Sequence, residues 1–574
     1  MDEPAIQRRD HRLASTVHRR ERDMLHALQI VGNLRRAQSP LVGHDAAEVR
    51  TTAPVTPVEQ RLQRGQFIGR FQHRGLPFRR SRVPGRTLIS VCALASAFVL
   101  GCAARTDRSA TPTPEPVFRP GVTSTPVAVS TAPALPAGHV RDALREVICW
   151  YDDPGKARDC LPPGEASQRA LERIATSGDR RFIAPLVDML WLDLGWERAV
   201  REALERVSGQ RYATAAEWYA AIERDPPPLP DGYGEWKGRL LSLVDARYLD
   251  LVPKDGGGVR PERLVWAYGD TRSPTITSAK TIRAADERYL AASDVVFGLR
   301  LNGDSRAYPE RILAWHGVAQ DRAGGTDIVV FHCLPCGGAA AYRRAASDGR
   351  SYTFGVANLV TGSRRLLFDA ETMSLWDPVS GRVVAGSLAA KNVSLTPIPL
   401  ARTSWGEWKD RYGTGVVLAL DTGFVRDYAE GAAMRGEGGL ERPQFPIAGL
   451  DPRLAAKVRV VGVNLGGVWR AYPIEAIEQA RMVQETVAGM TVVLISAGTG
   501  KGVQVYDAQG TRFDKVSGTG ANLEVSDRDG GRWFVDDERL LNARNGRTRP
   551  ALPSTPVWWF SWAGAHPDTT IWKP

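Results

Sequence analysis

Two stretches of this chain repeat one strand plan 164 positions apart, and that repetition constrains its folded half more than any other feature. Ile328 to Cys333, a short turn, and Gly338 to Tyr342 read as a strand, a reversal and a returning strand. Val492 to Ala497 and Val503 to Tyr506 read the same way, without the cysteines. The register holds without a gap from Val296/Val460 to Tyr342/Tyr506, and it aligns Gly298 with Gly462, Tyr308 with Tyr472 and Pro309 with Pro473. In each copy alternating apolar residues run into Asn302-Gly303 or Gly466-Gly467, the signal for a two-residue hairpin turn. Each then reaches Arg-Ala-Tyr-Pro, where proline ends the strand and can open a helix.

The copies differ in chemistry. His316 stands opposite Ala480, His332 opposite Ser496, Cys333 opposite Ala497, Cys336 opposite Gly500 and Asp321 opposite Glu485. The second copy therefore specifies the plan without histidine or cysteine, so the first copy's cluster is not a requirement of the fold. Cys333-Leu-Pro-Cys336-Gly lies between strands, whereas a thioredoxin-type motif needs a helix N-terminus to acidify its first thiol. Three readings fit. Cys333, Cys336 and His316 would suit Zn²⁺ or a copper ion. A Cys333–Cys336 disulfide is the second, and active thiol chemistry is the third. Neighbouring strand residues face opposite ways, which favours His316 over His332 as the third ligand or as a general base. Asp321 is placed to orient the other nitrogen of His316, and these two are the candidate acid–base residues.

The length suits about three or four folded units. Of the net charge of +11, residues 1–86 contribute 17 Arg against 8 Asp and Glu, and all 16 Trp lie later. The remainder has little basic bias, which argues against a nucleic-acid partner. Residues 1–86 read as a disordered arm or as sequence upstream of the true start. Residues 87–102 combine a preceding positive run with a short apolar stretch ending Val99-Leu-Gly-Cys102, which resembles a bacterial lipobox with Cys102 lipidated. A plain signal anchor is the alternative, and both readings predict an extracytoplasmic, membrane-held protein. Residues 103–137, rich in Pro, Thr and Ser, read as a tether.

Residues 138–225 carry helical periodicity. Ile183, Leu186, Val187 and Leu190 share one face, as do Val200, Ala203, Leu204 and Val207. Gly178 and Gly209 sit where C-caps belong, and Thr214 to Glu217 reads as a capping box. These short helices resemble a HEAT-like module, a surface suited to a protein partner. Cys149 and Cys160 read as a structural disulfide. Residues 233–435 then form the first β-rich repeat with its lead-in, and residues 440–574 the second. The expected fold is α+β, a small helical domain followed by a duplicated, mostly antiparallel β-rich domain.

The succession Arg306-Ala-Tyr-Pro309, Ala314-Trp-His316, Cys333-x-x-Cys336-Gly337, Asp369-x-Glu-Thr-x-Ser-Leu-Trp376, Trp405-x-x-Trp408 and Thr422-Gly-x-x-Arg-Asp-Tyr428 resembles the domain of unknown function 3179 family. The resemblance implies export and supports the site's location, and it names no reaction. Where the family pattern has His-Glu, this chain has His316-Gly317, and its Phe354-Gly-Val-Ala-Asn-Leu359 lacks the family's Ser-Gly before the Asp369 segment. Two function classes follow: a metal or redox site at the cysteine turn, or a non-catalytic surface module stapled by a disulfide.

Overall fold

The computed structural model describes residues 125–128, 134–152, 164–254, 258–267, 274–434, 442–445, 447 and 449–574. The leader, the lipobox segment with Cys102, most of the tether and Cys160 lie outside them. Among the described residues no helix is long and apolar enough to cross a membrane.

The helical part comes first. Helices Glu165–Ser177 and Glu197–Ser208 end at Gly178 and Gly209 in left-handed conformation. Thr214 and Glu217 close a capping box over helix Ala215–Arg224, each satisfying one orphan backbone N–H of the first turn. Helix Ile183–Leu192 departs from the one-faced expectation, because all ten of its residues are buried. It lies between the other helices and the strand Val265–Trp266, where the Trp191 indole donates to the Trp266 carbonyl at 2.7 Å. Helices Tyr233–Leu241 and Tyr248–Leu251 extend the module beyond residue 225. One continuous core joins Leu186, Val207 and Trp236 to Leu359 and Leu366 of the β-rich part.

The β-rich part is mostly antiparallel. Strands Val295–Leu301 and Asp304–Pro309 pair around Asn302 and Gly303, both at positive φ, as a type I′ turn requires. Strands Arg459–Leu465 and Val468–Pro473 pair in the same register around Gly466 and Gly467. Each hairpin gains an antiparallel strand on one side, Ala401–Ser404 or Ser554–Trp558. Each gains a parallel strand on the other, Val416–Leu418 or Thr570–Ile571. After each hairpin the proline caps a seven-residue helix, Glu310–His316 or Ile474–Ala480.

The paired tryptophans are core residues. Trp408 lies flat against Gly298, where an added Cβ would come 2.1 Å from its ring, and Trp562 lies against Gly462 at 2.2 Å. Trp376 donates to Asp369 and Trp533 donates to Asp527, each at 2.8 Å. Tryptophan and glycine thus specify each other, since only a missing side chain leaves room for the indole. Gly298→Ala is therefore expected to destabilise by about 1–3 kcal/mol, the usual cost of overpacking a filled core. Urea titration checks this, and a loss within error of zero would refute the close approach.

Candidate functional site

The first half's cysteines sit in a tight reversal. Strands Thr326–Cys333 and Gly338–Ala346 pair as far as Cys333 opposite Gly338. The N–H groups of Cys336 and Gly337 both donate to the Cys333 carbonyl at 3.0 Å. Cys333 and Cys336 form a disulfide with Cα atoms 5.0 Å apart. Gly337 takes φ +71° and presses on Trp558, so a side chain there would meet both backbone strain and the indole. Both cysteines are buried, at 3% and 0% exposure, in a cluster with Val460, Val557, Trp559 and Trp562 from the chain's last third. The Trp558 N–H donates to the Cys336 carbonyl at 3.0 Å, and Arg459 donates to the Gly337 carbonyl at 2.7 Å.

Two buried polar groups, Glu310 and His332, and two half-buried ones, Arg402 and Arg459, lie around this turn. Glu310, the residue after the helix-opening proline, places one carboxylate oxygen 3.4 Å from Arg402 and the other 3.7 Å from His332. That second distance is beyond hydrogen-bond range, so among the described residues neither ring nitrogen of His332 has a hydrogen-bond partner. Burial works against the Glu310 charge, but His332, Arg402 and Arg459 outweigh it and hold the carboxyl at about 2. Burial, reinforced by Arg402, draws Arg459 down to about 10.

A carboxyl with a depressed folded pKa contributes stability above its unfolded value, and that stability is lost as pH falls through the folded one. The native chain should therefore lose stability as pH falls from about 4.5 toward about 2. Glu310→Gln should flatten that part of the profile, as measured by thermal unfolding at each pH. A slope identical to the parent's would contradict the assignment.

His316 stands elsewhere, at the end of helix Glu310–His316 with 0% exposure. Its Nδ1–H donates to the Pro274 carbonyl. Its Nε2 accepts from the Tyr428 hydroxyl at 2.6 Å, and Thr422 donates to that same hydroxyl at 2.6 Å. Burial holds the imidazole below its ordinary pKa, with the Pro274 bond opposing and Arg426 reinforcing. The result is a neutral imidazole with both nitrogens occupied, pinning the segment from Leu420 to Tyr428. Asp321 does not orient it. The Asp321 carboxylate instead accepts from Arg306 at 3.0 Å and from Tyr308 at 2.8 Å. The expected set of Cys333, Cys336 and His316 is not assembled, and among the described residues no group of three His, Cys, Asp or Glu is placed to hold a metal. Thiolate ligation of Zn²⁺ or copper would also require the sulfur–sulfur bond to be reduced. Cys149 is disulfide-bonded.

Sequence reasoning passed over Glu310, Arg402 and Arg459. One signal was present: Glu310 falls where the second copy has Ile474, the same contrast that singled out the cysteines. Tyr428 and Thr422 were visible only as part of a motif, without their partner.

The family model described as "Protein of unknown function (DUF3179)" matches residues 272–569, just over half the chain. The chain belongs to this family. The DUF3179 match takes in the disulfide turn, the His316–Tyr428 pair and the second half as far as Thr569, and leaves the helical part outside. No curated protein and no solved structure matches the chain.

Proposed function

We propose that this chain is a membrane-held, extracytoplasmic surface module, anchored through Cys102, in which two copies of one β-rich plan pack together at a turn closed by the Cys333–Cys336 disulfide. On this reading the helical, HEAT-like part and the β-rich surface bind partners, and the disulfide is structural.

The observation that carries the reading is the burial of both sulfurs against Trp559 and Trp562, which leaves no approach for an attacking thiolate. Thiol–disulfide exchange needs the nucleophile to reach a sulfur. The common origin of the halves is supported by the matching hairpin registers, the two Gly–Trp contacts and the two Asp–Trp bonds. Membrane anchoring is supported by the residues of the lipobox segment alone.

The experiment is thiol trapping on the native, full chain, read by mass spectrometry. The expected result is no alkylation at Cys333 or Cys336 in millimolar glutathione, full alkylation after reduction in denaturant, and no bound zinc or copper. Rapid reduction of the folded protein, or a stoichiometric metal bound through these two residues, would replace the staple with a redox or metal site.

A further inference from the structure

The second half carries a basic cup that neither the disulfide nor the His316 pair uses. It lies on the meander Phe513–Ser517, Glu524–Asp527, Arg532–Val535, Arg539–Asn542 and Thr548–Pro550, and encloses about 1070 Å³. Six arginines line it against two aspartates, a local excess of +4. The rest of the folded chain has little such bias, so this is a local concentration of charge.

The arginines divide into two kinds. Arg549 is built in: its guanidinium donates to Thr511 at 2.8 and 2.9 Å, to the Ala508 carbonyl at 2.9 Å and to Gln509 at 3.1 Å. It also lies 5.2 Å from the centre of the Trp533 ring. Arg532 pairs with Glu524 at 3.1 Å. Arg512, Arg528, Arg544 and Arg547 are exposed, and among the described residues their side chains make no hydrogen bond or ion pair. Among the described residues Asp527 forms no ion pair with them, because its carboxylate is turned to the N–H groups of Gly531, Asp529 and Trp533. Four guanidinium forks therefore remain free around one concavity, the arrangement that suits planar, bidentate recognition of carboxylate.

The rest of the lining narrows the ligand. Trp533 is 2% exposed and its ring is taken by Arg549, so no free aromatic face is offered to a nucleobase. Asn545 also lines the cup and is exposed; its Oδ1 accepts from the Arg547 N–H, which leaves its amide N–H groups to donate to hydroxyl groups. We propose that this cup binds an acidic oligosaccharide, a chain of sugars bearing carboxylates whose charges meet the four free arginines and whose hydroxyls meet the Asn545 amide. The cup shares no lining residue with the Cys333–Cys336 turn or the His316–Tyr428 pair.

The test uses the full chain and a labelled hexagalacturonate, followed by fluorescence anisotropy at low salt, with cellohexaose, linear polyphosphate and oligo-dT as parallel probes. Saturable binding of hexagalacturonate is expected, weakening steadily with added salt, with no binding of the neutral hexasaccharide. Reversing Arg512, Arg528, Arg544 and Arg547 to Glu should weaken it by about tenfold or more, and Arg198→Glu on the exposed face of helix Glu197–Ser208 should leave it unchanged. Arg544→Gln with Arg547→Gln serves as a milder variant should the fourfold change impair folding, and should also weaken binding. No saturable binding, equal or tighter binding of polyphosphate or oligo-dT, or undiminished binding in both variants would each overturn the proposal.

Discussion

Replacing Lys237 with Met is expected to destabilise the chain by about 3–5 kcal/mol, the usual cost of removing one partner from a buried charge pair. Lys237 and Asp188 are 1% and 3% exposed at their side chains and lie 2.7 Å apart. The ammonium also donates to the carbonyls of Pro261 at 2.9 Å and Leu264 at 2.6 Å, which uses all three of its protons. Asp188 in turn accepts from Tyr219 and Tyr233. Burial already pushes the Asp188 carboxyl up, with Lys237 the chief opposing influence. Without the ammonium, a carboxylate and two carbonyls lose their partner inside a core that water does not reach. The lysine also ties the helical part to the segment leading into the first β-rich half, so both should loosen together. Chemical denaturation followed by tryptophan fluorescence measures the cost. The double change Asp188→Leu with Lys237→Met should recover part of it, because it removes the stranded charge. A single-variant loss below about 1 kcal/mol would show that the pair is solvated.

The second large effect concerns Trp408 and Trp562, which occupy matching places beside Gly298 and Gly462. Each is at most 1% exposed, and truncation to Ala should cost about 3–5 kcal/mol through lost burial and the cavity left behind. The two costs should be similar, because each indole fills the space above a strand glycine. Parallel denaturant titrations of the two single variants check both the size and the similarity. If one variant lost less than about 1 kcal/mol while the other lost several, the halves would not be built alike around their tryptophans.

How much of this was legible in advance depended on the range of the interaction. The hairpin turns at Asn302-Gly303 and Gly466-Gly467, the C-caps at Gly178 and Gly209 and the capping box at Thr214 were all readable, because each is set by the φ preference or hydrogen bonding of adjacent residues. The burial of helix Ile183–Leu192 on every side was not, because an apolar periodicity shows one buried face and cannot show what covers the other.

The site divides in the same way. The sequence by itself determined the cysteine turn and its confinement to one half, since strand alternation and spacing are local properties. Only the tertiary structure decided that Cys333 and Cys336 are joined to each other under tryptophans from the last third of the chain. It likewise decided that His316 is held by Pro274 and Tyr428, and that Glu310 gathers Arg402 and His332. Apart from the two cysteines, those partners lie at least 22 positions apart in the chain, and no periodicity encodes which distant residue arrives to satisfy a buried polar group.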